Sequence, residues 1–425
     1  MIQANNPELK TWLEVPEASD FPIQNIPFGI FRHPVNGACA VTRIGNTIID
    51  LNGLANKGLL NECNLPNGIF ANAYLNDFIA LGKPVWRQVR DTVSNLFKED
   101  NAVLRDNKVL QSEVLFDASL VELLMPVRVG DYTDFYSSIE HATNVGIMFR
   151  DPVNALLPNW RHIPVGYHGR SSSIVVSGTN ILRPNGQTKP DDSILPVFGP
   201  SKQVDFELEM AFITGKSNKL GTPITIEEAE EHIFGLLLFN DLSARDIQKW
   251  EYVPLGPFLS KNFGSVVSPW IVTLDALEPF RVKGPEQVPQ VLPYLQLEGA
   301  HNFDINLQVH IQPKDTESKV VCTSNFKYMY WSMAQQLAHQ TINGCNVNVG
   351  DLYGSGTISG PTPDSFGSML ELAWKGTKPI SMPDGSQRSF IHDHDTIIMK
   401  AWAENQHVRI GFGEAVTTIL PAIQL

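Results

Sequence analysis

A chain of 425 residues with 43% hydrophobic side chains is long enough to bury a large core and to form at least two domains. Its 45 acidic against 32 basic residues give a net charge of −13, and no cluster of Lys and Arg offers a phosphate-binding face, so nucleic acid is excluded as a natural partner. The longest apolar run, "IFGLLLF", is far short of the roughly 20 residues that cross a bilayer, and no Walker or dinucleotide glycine motif supports a nucleotide cofactor.

At the N-terminus, "MIQANNPELKTWLEVPEASDFP" lacks a basic segment followed by an apolar core, so no secretory signal and a cytoplasmic location are expected. Cys39, Cys63, Cys322 and Cys345 form no Cys-x-x-Cys pair and read as reduced core thiols. "GACAVTRIGNTIIDL" is β-prone. After "LGK", Pro84 can open a helix along which Val85, Val89, Val93 and Leu96 recur at helical spacing. The polar stretch 98–108 follows, and the character of the chain changes near residue 119.

Beyond that point short strands dominate, punctuated by Gly and Pro in "IPVGYHGRSSS", "RPNGQ" and "SGTISGP". Two helices are expected, "TIEEAEEHIFG" with Thr225 as N-cap and "WSMAQQLAHQTING" ending on Gly344. The whole reads as a mainly β catalytic domain with few helices.

The chemistry concentrates in this part. "GDYTDFYSSIEHATNVGIMFR" supplies Asp134 and His141. In "VDFELEMAF", a strand reading sets Asp205, Glu207 and Glu209 on one face and Phe206, Leu208 and Met210 on the other. Like charges so spaced need solvent, basic side chains or a metal ion as partner. Downstream the apolar "GLLLFND" ends in Asn240 and Asp241, a rigid way to deliver a carboxylate. Asp134, Glu207, Glu209 and Asp241 would together make an all-oxygen nest for Mg²⁺ or Ca²⁺, and no His or Cys stands at zinc spacing. A solvated strand edge is the plain alternative.

In "SARDIQKWEY", Arg245, Gln248 and Tyr252 fall on one helical face, suited to an oxygen-rich anion or simply to solvent. Lys261 in "PFLSKNFG" reads alone as a surface lysine. "GSGTISGP" would let backbone approach a ligand, and Glu371 in "GSMLELAWKG" reads as mid-strand among apolar residues, where a carboxylate needs a buried partner.

These motifs occur in one order: "DYTDFYSS..HATNVG..FR", "PVGYHGRSSS", "DFELEMAF", "FNDLSARDIQKWEYVPLGPFL.K.FG", "NGC....GDL..SGTISGP" and "GSMLEL.WKGTKP". With the N-terminal "SDFPIQNIPFGIF", they closely resemble the fumarylacetoacetase family over essentially the full chain. The resemblance implies an SH3-like barrel over 1–118, a β-sandwich roll over 119–425, and a homodimer. It implies hydrolysis of the carbon–carbon bond of 4-fumarylacetoacetate to fumarate and acetoacetate, the last step of tyrosine and phenylalanine breakdown.

Motif for motif, the metal carboxylates of the family fall on Asp134, Glu207, Glu209 and Asp241, with Lys261 and Ser265 at a second magnesium-associated position. Ser265 stands where the family has Thr. The general base matches His141, oriented by Glu371; Arg245, Gln248 and Lys261 match the oxyanion donors. Tyr136, Arg150, Tyr167, Gln248, Tyr252, Gly356 and Thr357 match substrate-binding positions. The implied cofactor is Mg²⁺ or Ca²⁺, with no organic cofactor. Asp205 is outside the ligand set, and a structural ion pair is expected for it. Ile139 and Glu140 replace a basic or polar pair ahead of the histidine and are expected to face solvent. Acylpyruvate hydrolase and oxaloacetate decarboxylase, members of the same superfamily, are the rival activities.

Overall fold

The computed structural model describes residues 2–425. Near the N-terminus, the strands Leu115–Asp117, Thr47–Asp50, Gly37–Ile44, Gly29–His33 and Leu123–Leu124 form an antiparallel five-stranded sheet in that order. The helix Lys83–Leu96 packs onto this unit, with Pro84 in its first turn and Trp86, Val89, Val93 and Leu96 buried along one side.

An eight-stranded sheet follows. Across it run Gly166–Gly169, Tyr132–Phe135, Leu352–Gly354, Leu208–Thr214, Ile233–Asp241, Ser265–Val267 and Ile174–Val176, with Val272–Thr273 also paired to Ile233–Asp241. A second five-stranded sheet contains Lys319–Asn325, Ile305–Gln312, Thr396–Glu404, Arg409–Leu420 and Ile181–Leu182. The architecture is mainly β.

The eight-stranded sheet is the middle layer. Leu208, Met210, Phe212, Leu236 and Leu238 point into a core shared with Ile305, Leu307, Val309 and Met399 of the second sheet. Ala211, Ile213, Phe234, Leu237 and Phe239 point the opposite way, into a core shared with Phe28, Ile30, Phe78 and Trp86 of the N-terminal unit. Both faces being covered, the central strand Ile233–Asp241 is buried at every position and reads as an apolar run up to Asn240 and Asp241 at its exit.

Two local expectations differ from the structure. Residues 225–235 do not form a capped α-helix: turns lead into a short 3₁₀ segment, Ala229–His232, and then into the central strand. Ile224 and Ile226 are drawn into the core and Glu230 into ion pairs with Arg281 and His301, which fixes the chain in a tighter path. Glu371 is not mid-strand; it lies in the one-turn helix Met369–Leu372, opened by Ser368 accepting a hydrogen bond from the Glu371 N–H. The helix Met333–Thr341 forms as read, with a Ser332–Gln335 capping box, and the chain turns at Gly344 with φ +92°.

Candidate active site

The acidic segment is not one continuous strand. It breaks between Val204–Asp205 and Leu208–Thr214, and Glu207 makes an isolated bridge to Ser368. The break is clamped: the Glu207 N–H donates to Asn240 Oδ1 and the Glu207 carbonyl accepts from the Asp241 N–H. Neither face meets solvent: Asp205, Glu207 and Glu209 are all buried.

Three strands and this break bring Asp134, Glu207, Glu209 and Asp241 together, all buried, each offering an oxygen within 4.8 Å of the others. Burial, then repulsion from Asp241, pushes Asp134 well above the ordinary carboxylate range; burial, then Asp134 and Asp241, does the same to Glu209. Burial also raises Asp241, against the pull of Lys261. Glu207 behaves oppositely. Burial pushes it up, but Lys261, Arg245 and His141 outweigh that and hold it well below the ordinary range.

Lys261 is no surface residue: only 6% of its side chain is exposed, with Nζ paired to Glu207 and 2.6 Å from Asp241 Oδ2. Ser265 Oγ donates to the other Asp241 oxygen at 2.9 Å. Burial pulls Lys261 and Arg245 down, but the carboxylates around them raise both. The four acids thus face only two basic groups, and Asp134 Oδ1 and Glu209 Oε1, though buried, have no hydrogen-bond partner. Orphaned oxygens, excess negative charge and the absence of N or S donors among the four fit a hard divalent cation.

Space for it is left by a glycine. A Cβ on Gly354, which pairs with Asp134 on one side and Ala211 on the other, would fall 2.8 Å from Asp134 Oδ1 and 3.0 Å from Glu209 Oε2. At Gly356, φ is +79° and a Cβ would meet the Phe135 carbonyl at 2.2 Å; this backbone lets the Gly356 N–H donate to Glu209 Oε2 at 3.0 Å.

His141 lies on the helix Ile139–Phe149, opened by Ser138, and its Nδ1 is 2.6 Å from Glu371 Oε2. Burial raises Glu371, but His141, Asn144 and Ser368 outweigh it and keep the carboxyl below its ordinary value. An ionised carboxylate only accepts, so Nδ1 carries the proton and Nε2 is left free. Ser359 and Ser368 hydroxyls and Asn144 Nδ2 also donate to Glu371 at 2.9 to 3.0 Å. The sequence reading missed these three. Asn144 could have been found by its i+3 spacing from His141, and Ser368 by the Ser-x-x-Glu capping pattern.

Tyr136 stands edge-on to the His141 ring, with centroids 5.2 Å apart, and Tyr167 Oη donates to Asp241 Oδ2 at 3.4 Å. Arg245 opens the helix Arg245–Glu251 and is buried; its Nη1 donates to Gln248 Oε1 at 3.2 Å and its Nη2 lies 2.8 Å from Glu207 Oε1. Tyr252 does not share that burial: it is 54% exposed, at the rim. Thr357 is buried beside Gly356, whereas the Arg150 guanidinium donates to the Ala155 carbonyl in the loop after its helix. Ile139 and Glu140 are only partly exposed to solvent. Both are half-buried, because Ile139 packs with Tyr136 and Trp160, and burial raises the Glu140 carboxyl.

Two family models match most of the chain. The family described as Fumarylacetoacetate (FAA) hydrolase C-terminal matches residues 132–420, and Fumarylacetoacetase N-terminal matches residues 24–126. The chain is 54% identical over 420 residues to the fumarylacetoacetase of Dictyostelium discoideum, covering 97% of this chain and 98% of that one. It is 51% identical over 415 residues to that of Homo sapiens, covering 97% and 99%. Among solved structures, a fumarylacetoacetate hydrolase from psychrophilic Exiguobacterium antarcticum shares the fold, with a TM-score of 0.53 at 17% identity over 93% of this chain and 99% of that one.

Proposed function

The chain belongs to the fumarylacetoacetase family, and on that premise we propose that it hydrolyses the carbon–carbon bond of 4-fumarylacetoacetate to fumarate and acetoacetate, closing tyrosine and phenylalanine breakdown. The observation that carries the reading is one buried site holding a His141–Glu371 pair, Arg245, Lys261 and four cation-fitting carboxylates.

His141 Nε2 takes a proton from water, Glu371 holding Nδ1–H so that only Nε2 can accept. The hydroxide adds to the carbonyl carbon next to the fumaryl arm. Arg245, Gln248 and Lys261 donate to the resulting oxyanion, Arg245 and Lys261 as buried cations. Collapse breaks the carbon–carbon bond, leaves the hydroxide oxygen in a fumarate carboxylate, and returns the proton to the acetoacetate carbanion. A divalent cation, Mg²⁺ or Ca²⁺, held by Asp134, Glu207, Glu209 and Asp241 would supply Lewis-acid stabilisation of charge on the diketone oxygens. Tyr136, Arg150, Tyr167, Tyr252, Gly356 and Thr357 hold the substrate arms in this reading, and Ser265 sets the Asp241 carboxylate.

Two domains are part of the same reading, 1–118 and 119–425, with the pairing of Leu123–Leu124 to the first sheet drawing the junction toward residues 125–131. So are a homodimer and a cytoplasmic location, the latter supported by four unpaired thiols, of which all but half-exposed Cys345 are buried. Among the described residues, no helix is long and apolar enough to cross a membrane. Loss of the diketone ultraviolet absorbance tests the function, with wild type, His141→Ala and a chelator compared. Both treatments are expected to abolish turnover. Near wild-type turnover by His141→Ala, or preference for acylpyruvates or oxaloacetate, would overturn the reading.

A further inference from the structure

Asp205 is the acid of the segment that joins no cation site, and it is wholly buried. Its Oδ2 accepts from Arg245 Nε at 2.8 Å and from the Leu370 N–H at 3.0 Å, while Oδ1 accepts from the Met369 N–H at 2.7 Å. One carboxylate therefore ties the guanidinium of Arg245 to the first turn of the helix that carries Glu371. Two other contacts lead to the same places: strand Val204–Asp205 pairs with Ser243–Ala244, directly ahead of Arg245, and Glu207 bridges to Ser368.

An ordinary structural ion pair would need one arm, and an ordinary helix cap the other. Asp205 makes both at once, between two elements that are far apart in sequence and contribute to opposite halves of the reaction. We propose that Asp205 is a positioning residue that sets the Arg245 oxyanion donor and the Glu371–His141 base as one rigid unit, so that proton removal and oxyanion stabilisation act at a single fixed separation. The proposal rests on the functional reading above. With Asp205 neutralised, Arg245 keeps only Gln248 and Glu207 as partners, and the turn under Glu371 loses its anchor.

The test is Asp205→Asn in the full-length protein. An amide occupying the same space must point an N–H₂ at either the guanidinium or a backbone N–H, so at least one arm breaks. The expected result is a kcat loss of about 10- to 100-fold with KM changed less than about threefold. In an Arg245→Gln background the same substitution should add less than about threefold, since coupled residues are not additive. The downfield proton resonance of the His141 Nδ1–H, read without substrate, should move in Asp205→Asn. Unchanged kcat, a kcat loss that only tracks the folded fraction in a thermal melt with the resonance in place, or fully additive cycles would each overturn the proposal. If Asp205→Asn fails to fold, Asp205→Ser is read in the same way, and failure of both with Arg245→Gln folded would leave Asp205 a purely structural role. Wild-type protein that leaves fumarylacetoacetate intact would refute the functional reading alone, because the resonance still reports the coupling.

Discussion

Adding one methyl group at Gly354 should weaken cation binding without unfolding the protein. Gly354 has ordinary strand backbone, so alanine brings no conformational strain. Its Cβ would stand 2.8 Å from Asp134 Oδ1, 3.0 Å from Glu209 Oε2 and 3.3 Å from Phe239 Cε1, which is roughly half an ångström inside ordinary contact for the nearest pair. With no ion bound, the mutually repelling carboxylates can move apart. With an ion bound they must converge, and the overcrowding, typically about 1–3 kcal/mol, falls on the loaded state. That corresponds to an affinity loss of about 5- to 150-fold. Titration calorimetry with Mg²⁺ and Ca²⁺ on wild type and Gly354→Ala measures it, with a melting curve as control. A folded variant binding both ions within twofold of wild type would refute the placement of the ion against Asp134 and Glu209.

Glu371→Gln keeps the shape but not the charge that orients His141, so kcat should fall about 10²- to 10⁴-fold while ion affinity holds; a loss below tenfold in steady-state assays would contradict this. Lys261→Met leaves Glu207 and Asp241 buried without their shared cation and should cost about 3–5 kcal/mol in urea unfolding of chelator-treated protein, with partial recovery on adding Ca²⁺; an unchanged midpoint would count against it. At the Glu230–His301–Arg281 cluster, burial raises Glu230 but His301 and Arg281 outweigh it, while the hydrogen bond to Glu230 raises His301. A depressed acid stabilises above its ordinary 4.5 and loses this as pH falls; a raised histidine stabilises below its ordinary 6.5 and loses this as pH rises. Glu230→Gln should therefore lower stability by about 1 kcal/mol at most near pH 5.5, less below pH 4 and less above pH 8, where only Arg281 still pairs; a melting-temperature difference that is flat with pH would refute the coupling.

The site was legible where residue type and spacing carry the chemistry directly. Four carboxylates in the mainly β part of the chain pointed to an all-oxygen cation site, with a solvated strand edge as the alternative, and the structure buries all four side by side. The burial of Lys261 was not legible, since its partners Glu207 and Asp241 are brought to it only by the sheet. The same holds for Asp205, whose two arms reach residues 243–245 and 368–370 through tertiary pairing alone. Residues 225–235 misled because an acidic, alanine-containing run has helical propensity, which ion pairing and two buried isoleucines override. Glu140 misled because a charged residue one step from a site was assigned to solvent by type, whereas the packing of Ile139 draws both inward.

A middle sheet that is apolar on both sides binds the fate of the catalytic half to that of the N-terminal half. If the N-terminal unit loosened, Ala211, Ile213, Phe234, Leu237 and Phe239 would become an uncovered sticky surface directly behind the reaction centre. The two halves should therefore melt in one cooperative step, and truncations that keep every catalytic group should still aggregate. Substitutions at Phe28, Phe78 or Trp86, remote from any chemistry, would act on how many enzyme molecules survive in the cell and not on how fast each one turns over.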